Sequence, residues 1–218
     1  MTQTPTHYPT AGAKCADLVV HIVGLAFALF GGGILLGLSV GRGGGGEIAS
    51  VAVYAVGMAV MLGCSLAYNF GKAPWRPLLR RFDHAGIFLM IAGSYTPFTT
   101  QSLTGGWAIG MTVGVWTLAL LGVAGKLFLP GLGKGFWVAL YLALGWAVLI
   151  AIKPMIDGVS WVALLLLGIG GLLYSTGVIF YLMKRFKFRR AVWHGHVVAA
   201  AAVQYAAVMV GVVFAGTH

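Results

Sequence analysis

Charge is scarce in this sequence. Charged residues make up 8% of its 218 positions against 60% hydrophobic, with a mean hydropathy of +0.94. Soluble domains carry about 25% charged residues, so an ordinary water-facing surface is excluded. Acids are rarest of all, four in number: Asp17, Glu47, Asp83 and Asp157. Cys15 and Cys64 are the only thiols, and their spacing suggests neither a disulfide framework nor a zinc knuckle; both read as buried structural groups. Disordered tails, low-complexity arms and long-period repeats are also missing. The N-terminal "MTQTPTHYPTAGAK" lacks the basic start of a secretory signal, and the apolar run after it is too long for a signal core. The first helix is therefore expected to be retained.

What the chain does have is apolar length. A spanning helix takes about 20 predominantly apolar residues, and seven runs qualify, at 16–40, 48–70, 84–101, 107–124, 136–152, 160–183 and 191–214. They are continuous, whereas a barrel strand alternates over about 10 positions. The expectation is an all-α polytopic membrane protein, a single seven-helix domain over 1–218 with no soluble domain left over.

The net charge of +10 is explained by where the bases lie. Lys14, the loop with Lys72, Arg76, Arg80 and Arg81, the pair Lys126 and Lys134, and the loop with Lys184, Arg185, Lys187, Arg189 and Arg190 fall on one side of the predicted membrane. Arg42 and Lys153 fall on the other. Lys/Arg excess marks the cytoplasmic side, so the N-terminus is expected inside and the C-terminus outside, in a bacterial inner (plasma) membrane. Membrane lipids, not nucleic acid, are the expected partners, each base near the surface adding about 1 kcal/mol of attraction to anionic head groups. Nothing in the pattern specifies an oligomeric state.

Smaller features have structural readings. "GRGGGGE" reads as a flexible turn whose glycines take backbone angles closed to other residues. Gly33, Gly37 and Gly41 recur at every fourth position, which suits close helix packing. Trp75, Trp107, Trp137, Trp161 and Trp193 lie near span ends as interfacial anchors. Pro97 predicts a kink or a partial unwinding late in the third span.

Ionisable groups inside spans are costly and are functional candidates by default. Asp17 and His21 are four apart at the head of the first span, Ser65 and Asn69 four apart near the end of the second, Asp83 and His84 open the third, and Arg190 and His194, four apart, open the seventh. Alternation places all these ends at the cytoplasmic face, where Asp17, His21, Ser65, Asn69, Asp83, Arg190 and His194 can form one polar cluster. Structural alternatives stay open: Asp17 as a complement to the helix dipole, His21 as an interhelical hydrogen bonder, and His84 and His196 pointing away. The other ends offer only Glu47, Asp157 and His218.

Taken together, Ser65-x3-Asn69, the basic loop, "LLRRFDHAGIFLMIAGSYTPF" and "WHGHV" resemble the hemolysin III family, which is related to the progestin and adipoQ receptors. The resemblance runs from "ADLVVHIVG" through the seventh span. It implies a cytoplasm-side zinc site made by a histidine four residues after the serine of the second span, an aspartate opening the third, and an H-x3-H pair opening the seventh. It also implies hydrolysis of lipid amides by zinc-activated water. Ser65, Asp83 and His194 match; Asn69 and Arg190 replace two of the histidines. Asn69 is a poor zinc ligand, and a guanidinium only donates hydrogen bonds.

The reading put first is a lipid- or membrane-state-linked protein with a degenerate site, in which Arg190 supplies the positive charge and pairs with Asp83. The alternative is a ceramidase-like zinc amidohydrolase with a rearranged site of Asp83, His194 and His21, with Asp17 at similar depth. Ser65 and Asp83 are the catalytic candidates, including a Ser65–His194–Asp83 triad. The family name adds a pore-forming or cytolytic reading, which the apolar outer halves of the spans disfavour.

Overall fold

The computed structural model describes residues 7–215 apart from 130 and 184, so Lys184 and His218 lie outside the described residues. The described chain is all helical. In order come α1 (Ala11–Arg42), α2 (Gly45–Phe70), α3 (Arg76–Gln101), α4 (Gly105–Phe128), α5 (Lys134–Gly145), α6 (Ile152–Gly158), α7 (Trp161–Leu182) and α8 (Arg189–Val208). A 3₁₀ segment, Ala147–Ala151, joins α5 to α6, so these two form the fifth expected span. Six of the resulting helices are long and apolar enough to cross a membrane. The third expected span, α3, matches them in length but starts with Arg76, Arg80, Arg81 and Asp83.

Local chemistry sets several ends. The Thr10 hydroxyl accepts from Ala13 N–H at 3.1 Å, taking one of the donors a helix start leaves free, and Ser160 does the same for Ala163 in α7. At the other end of α1, Gly43 N–H returns to Ser39 O at 2.7 Å. The Gly-rich turn does not use the glycine-only backbone region: α2 begins within it, at Gly45, and the one residue with clearly positive φ among those described is Gly105, at the start of α4. α3 continues past Pro97 to Gln101, and the unwinding expected there lies instead between α5 and α6.

The helices pack in sequence from α1 to α4, α7 lies on α8, and α8 returns to α1. The closest approach is between α2 and α3. A Cβ on Gly86 would lie 3.2 Å from Met61 Cα, and one on Gly93 3.3 Å from the Val53 carbonyl oxygen, so any side chain there would push the backbones apart by a few tenths of an ångström. By contrast, a Cβ on Gly33, Gly37 or Gly41 would meet nothing within 4 Å among the described residues. Tyr54, Met58, Phe88 and Leu35 fill the interior. Leu, Ile, Val and Phe side chains such as Phe30, Ile109, Leu121 and Ile150 cover the outside; a soluble monomer does not expose so large an apolar surface.

Two other expectations are corrected. Trp75, Trp107 and Trp161 are exposed near helix ends, but Trp137 is buried and Trp193 packs against Tyr181. Cys15 is exposed and Cys64 partly so, and both are free.

Candidate functional site

The longer helices move the polar residues. α1 starts at Ala11, which puts Asp17 in its second turn and beyond the reach of a first-turn dipole effect. α3 starts at Arg76, so Asp83 and His84 lie two turns inside it. Lys126, placed in a loop by sequence, belongs to the last turn of α4 and is only 8% exposed.

Asp17 is fully buried and joins α1 to α8. Its Oδ1 lies 2.6 Å from His194 Nδ1, and its Oδ2 accepts from the Tyr8 hydroxyl. His21 Nδ1 is 2.7 Å from the Asp17 carbonyl oxygen. A carbonyl oxygen only accepts, so Nδ1 of His21 carries the proton and its Nε2 has a free lone pair. That Nε2 lies 3.1 Å from Ser65 Oγ, and His194 Nε2 lies 3.5 Å from the same oxygen. The two imidazoles are 4.3 Å apart between ring centres.

Asn69 closes the next layer. Its Nδ2 donates to the Ser65 carbonyl at 3.0 Å and lies 3.5 Å from Ser65 Oγ. Its Oδ1 accepts from Arg190 Nη1 at 2.9 Å and from His7 Nε2 at 3.2 Å. The bidentate Arg190–Asp83 pair suggested by sequence does not form: no ion pair links the two among the described residues. Arg190 instead reaches Asn69, lies 3.4 Å from His7 Nδ1, and sits over the Tyr8 ring at 5.5 Å.

His7 and Tyr8 were not singled out by sequence, which offered only a polar segment ahead of the first helix. Burial, then the charge of Arg190, lowers His7 to about 4. Burial and the bond to Asp17 raise Tyr8 well above its ordinary value. His7 is therefore neutral at pH 7, which fits its geometry: Nδ1 accepts from a guanidinium while Nε2–H donates to Asn69.

A cavity of about 370 Å³ opens beside the cluster, lined by His21, Ser65, Asn69, Asp83, Arg190 and His194 together with apolar walls that include Met61, Leu62 and Ile87. Asp83 faces it with a side chain 14% exposed, 3.9 Å from His84 Nε2. His84 does not point away as expected, since it lines the same cavity and accepts from Lys126; His196 does, bonding Val192 O and packing on Phe180. A second, almost wholly apolar cavity of about 230 Å³ shares Met61, Ile87, Tyr141 and Tyr174 with the first.

Asp17, His21 and His194 each place a potential ligand atom within 4.8 Å of the others. The proton count suits a cation. Ser65 has one proton for two Nε2 lone pairs, so with both imidazoles neutral one lone pair has no donor. A divalent metal is a group the donors could hold.

A family model described as Haemolysin-III related matches residues 14–205. The "Hemolysin-3 homolog" of Bacillus subtilis (strain 168) is 31% identical over 201 residues, covering 92% of this chain and 94% of its own length. "Hemolysin-3" of Bacillus cereus is 30% identical over 199 residues, covering 90% of each. The human "Monocyte to macrophage differentiation factor" is 26% identical over 209 residues, covering 92% of this chain and 84% of the human protein. Six long apolar helices and the bacterial relatives support an integral protein of the bacterial plasma membrane.

Proposed function

The chain belongs to the haemolysin III-related family, and we propose that it handles a membrane lipid in the 370 Å³ cavity beside a metal site whose ligands are His21 and His194, with Asp17 as their outer acceptor, zinc being a metal that suits imidazole nitrogen. The observation that carries this is the convergence of His21 Nε2 and His194 Nε2 on one hydroxyl. Asp17 sets both rings: its carbonyl holds the His21 proton at Nδ1, and its carboxylate does the same for His194. Such outer acceptors orient metal-binding histidines. Bound zinc would supply an activated water for hydrolysis, a lipid amide being the substrate class that the family resemblance implies. Ser65 would hold that water or a substrate carbonyl by hydrogen bond, Asp83 offers a second carboxylate on the cavity wall, and the apolar part of the wall suits an acyl chain.

Elemental analysis of the purified protein tests this. The expected result is near-stoichiometric zinc in the wild type, lost in Asp17→Ala and His194→Ala. Metal-free wild-type protein would sink the reading and return Arg190 to the role of fixed cation, a non-catalytic site held through Asn69.

A second reading rests on the chain Asp17–His194–Ser65, which has the order of an acid, a base and a nucleophile. The acid that meets His194 here is Asp17, where sequence suggested Asp83. In this reading His194 Nε2 takes the Ser65 proton and no metal is needed. Covalent labelling of Ser65 by a fluorophosphonate, absent in Ser65→Ala and unaffected by chelator, would favour it over the metal site; an unreactive serine removes it.

A further inference from the structure

Lys126 presents a separate problem. It is 8% exposed, lines the cavity, and has no carboxylate within ion-pair distance among the described residues. None of the four acids pairs with it directly, and Asp83 acts on it only across the His84 ring. Asp17 serves His194 and Tyr8, Asp157 pairs with Lys153, Glu47 starts the far end of α2, and Asp83 lies beyond the His84 ring. An ammonium has no lone pair, so Lys126 Nζ donates to His84 Nδ1 at 3.1 Å, leaving the His84 proton on Nε2, toward Asp83. Its other neighbours are the Trp137 ring at 4.2 Å and the Tyr141 ring at 5.9 Å. Aromatic faces soften the isolation of a cation but do not neutralise it. A buried charge without a counter-charge is costly.

Other bases line the same cavity. Arg80 is exposed at its rim, Arg81 is held by the Leu127 carbonyl at 3.0 Å, and Lys134 lies over Tyr181 at 3.5 Å. The wall between Lys126 and the interior is apolar, with Ile87, Val138 and Met61.

We propose that Lys126, with Arg80, forms an anion site distinct from the Asp17–His21–His194 cluster, and that its ligand is the phosphoryl head group of an anionic amphiphile whose chain follows the apolar walls inward. The site shares with the function proposed above only the premise that the cavity takes an amphiphile; it needs no metal. Arg80 draws the anion in at the rim, and Lys126 pairs with it in the low-dielectric interior, where the attraction is strongest.

The experiment uses the full chain in detergent after chelation, titrated with dihexanoyl phosphatidic acid, with dihexanoylglycerol, which lacks the phosphate, and with inorganic phosphate. Phosphatidic acid should bind at least tenfold more tightly than either of the other two. Lys126→Met should weaken it at least tenfold, Lys126→Arg should restore it, and Lys153→Met should change nothing. Arg80→Gln, at an exposed position, should weaken it several-fold and carries the test if Lys126→Met does not accumulate. Unchanged binding in Arg80→Gln and Lys126→Met, equal binding of dihexanoylglycerol, or loss of binding on chelation would each overturn the site. Inorganic phosphate binding as tightly as the lipid would overturn the head group as its ligand. A wild type that carries no zinc as purified and, after chelation, binds phosphatidic acid would leave this site standing and remove only the metal reading.

Discussion

Asp17 and His194 are 177 positions apart in sequence, yet their side chains meet at 2.6 Å, carboxylate oxygen to Nδ1, with the acid fully buried. The contact ties the first helix to the last and fixes which nitrogen of His194 faces the cavity. Replacing Asp17 with Asn keeps the shape and removes the charge. Zinc affinity, read by competition with a chromogenic chelator, should fall about 10- to 100-fold, the usual cost of losing an outer-sphere partner. Equal affinity in the two proteins would show that Asp17 does not govern the ring.

The N-terminal segment should respond to acid. His7 titrates at about 4 when docked and near 6.5 when released, so the released form takes up protons first. Docking is intact above about pH 6.5 and weakens as pH falls towards 4. Hydrogen-exchange protection at residues 7, 8 and 10, taken relative to the intrinsic rate at each pH, should fall as pH drops across that window and stay flat in His7→Gln. Equal protection at pH 5 and pH 7.5 would contradict the docked geometry.

Arg190 and Lys187 make a matched pair, the first bonded to Asn69 and the second exposed. Arg190→Ala leaves Asn69 Oδ1 short of a charged donor and should cost about 1 to 3 kcal/mol. Lys187→Ala should cost less than about 0.5 kcal/mol. Thermal unfolding in one detergent measures both, and equal shifts would mean that the Asn69 bond contributes nothing.

Glycine positions should separate into two groups. Gly86→Val pushes carbon into the Met61 backbone and should destabilise by about 1 to 3 kcal/mol. At Gly33, where nothing lies within 4 Å, valine should be tolerated by the isolated chain. If Gly33→Val is the more damaging of the two, that face is covered in the membrane by something else.

Much of the architecture was readable because bilayer thickness imposes its own length on a sequence. Seven apolar runs predicted the helical order, and the four-residue spacings Asp17/His21, Ser65/Asn69 and Arg190/His194 showed which side chains share a face. Helix ends were misjudged where charged residues continue a helix beyond its apolar run, at the start of α3 from Arg76 to Phe82 and at the finish of α4 with Lys126. Hydropathy reports contact with lipid, whereas backbone hydrogen bonding carries on through arginine and lysine alike.

Composition and periodicity alone determined that this chain is a helical membrane protein with its bases gathered toward one set of loops, since both follow from the free energy of placing each residue type in hydrocarbon or in water. Pairing was decided in three dimensions. Asp83 and Arg190 carry opposite charges and come to the same cavity, but helix rotation turns the guanidinium to Asn69 and the imidazole of His194 to Asp17. Packing between surfaces such as Gly86 against Met61, which no single helix specifies, settles such choices.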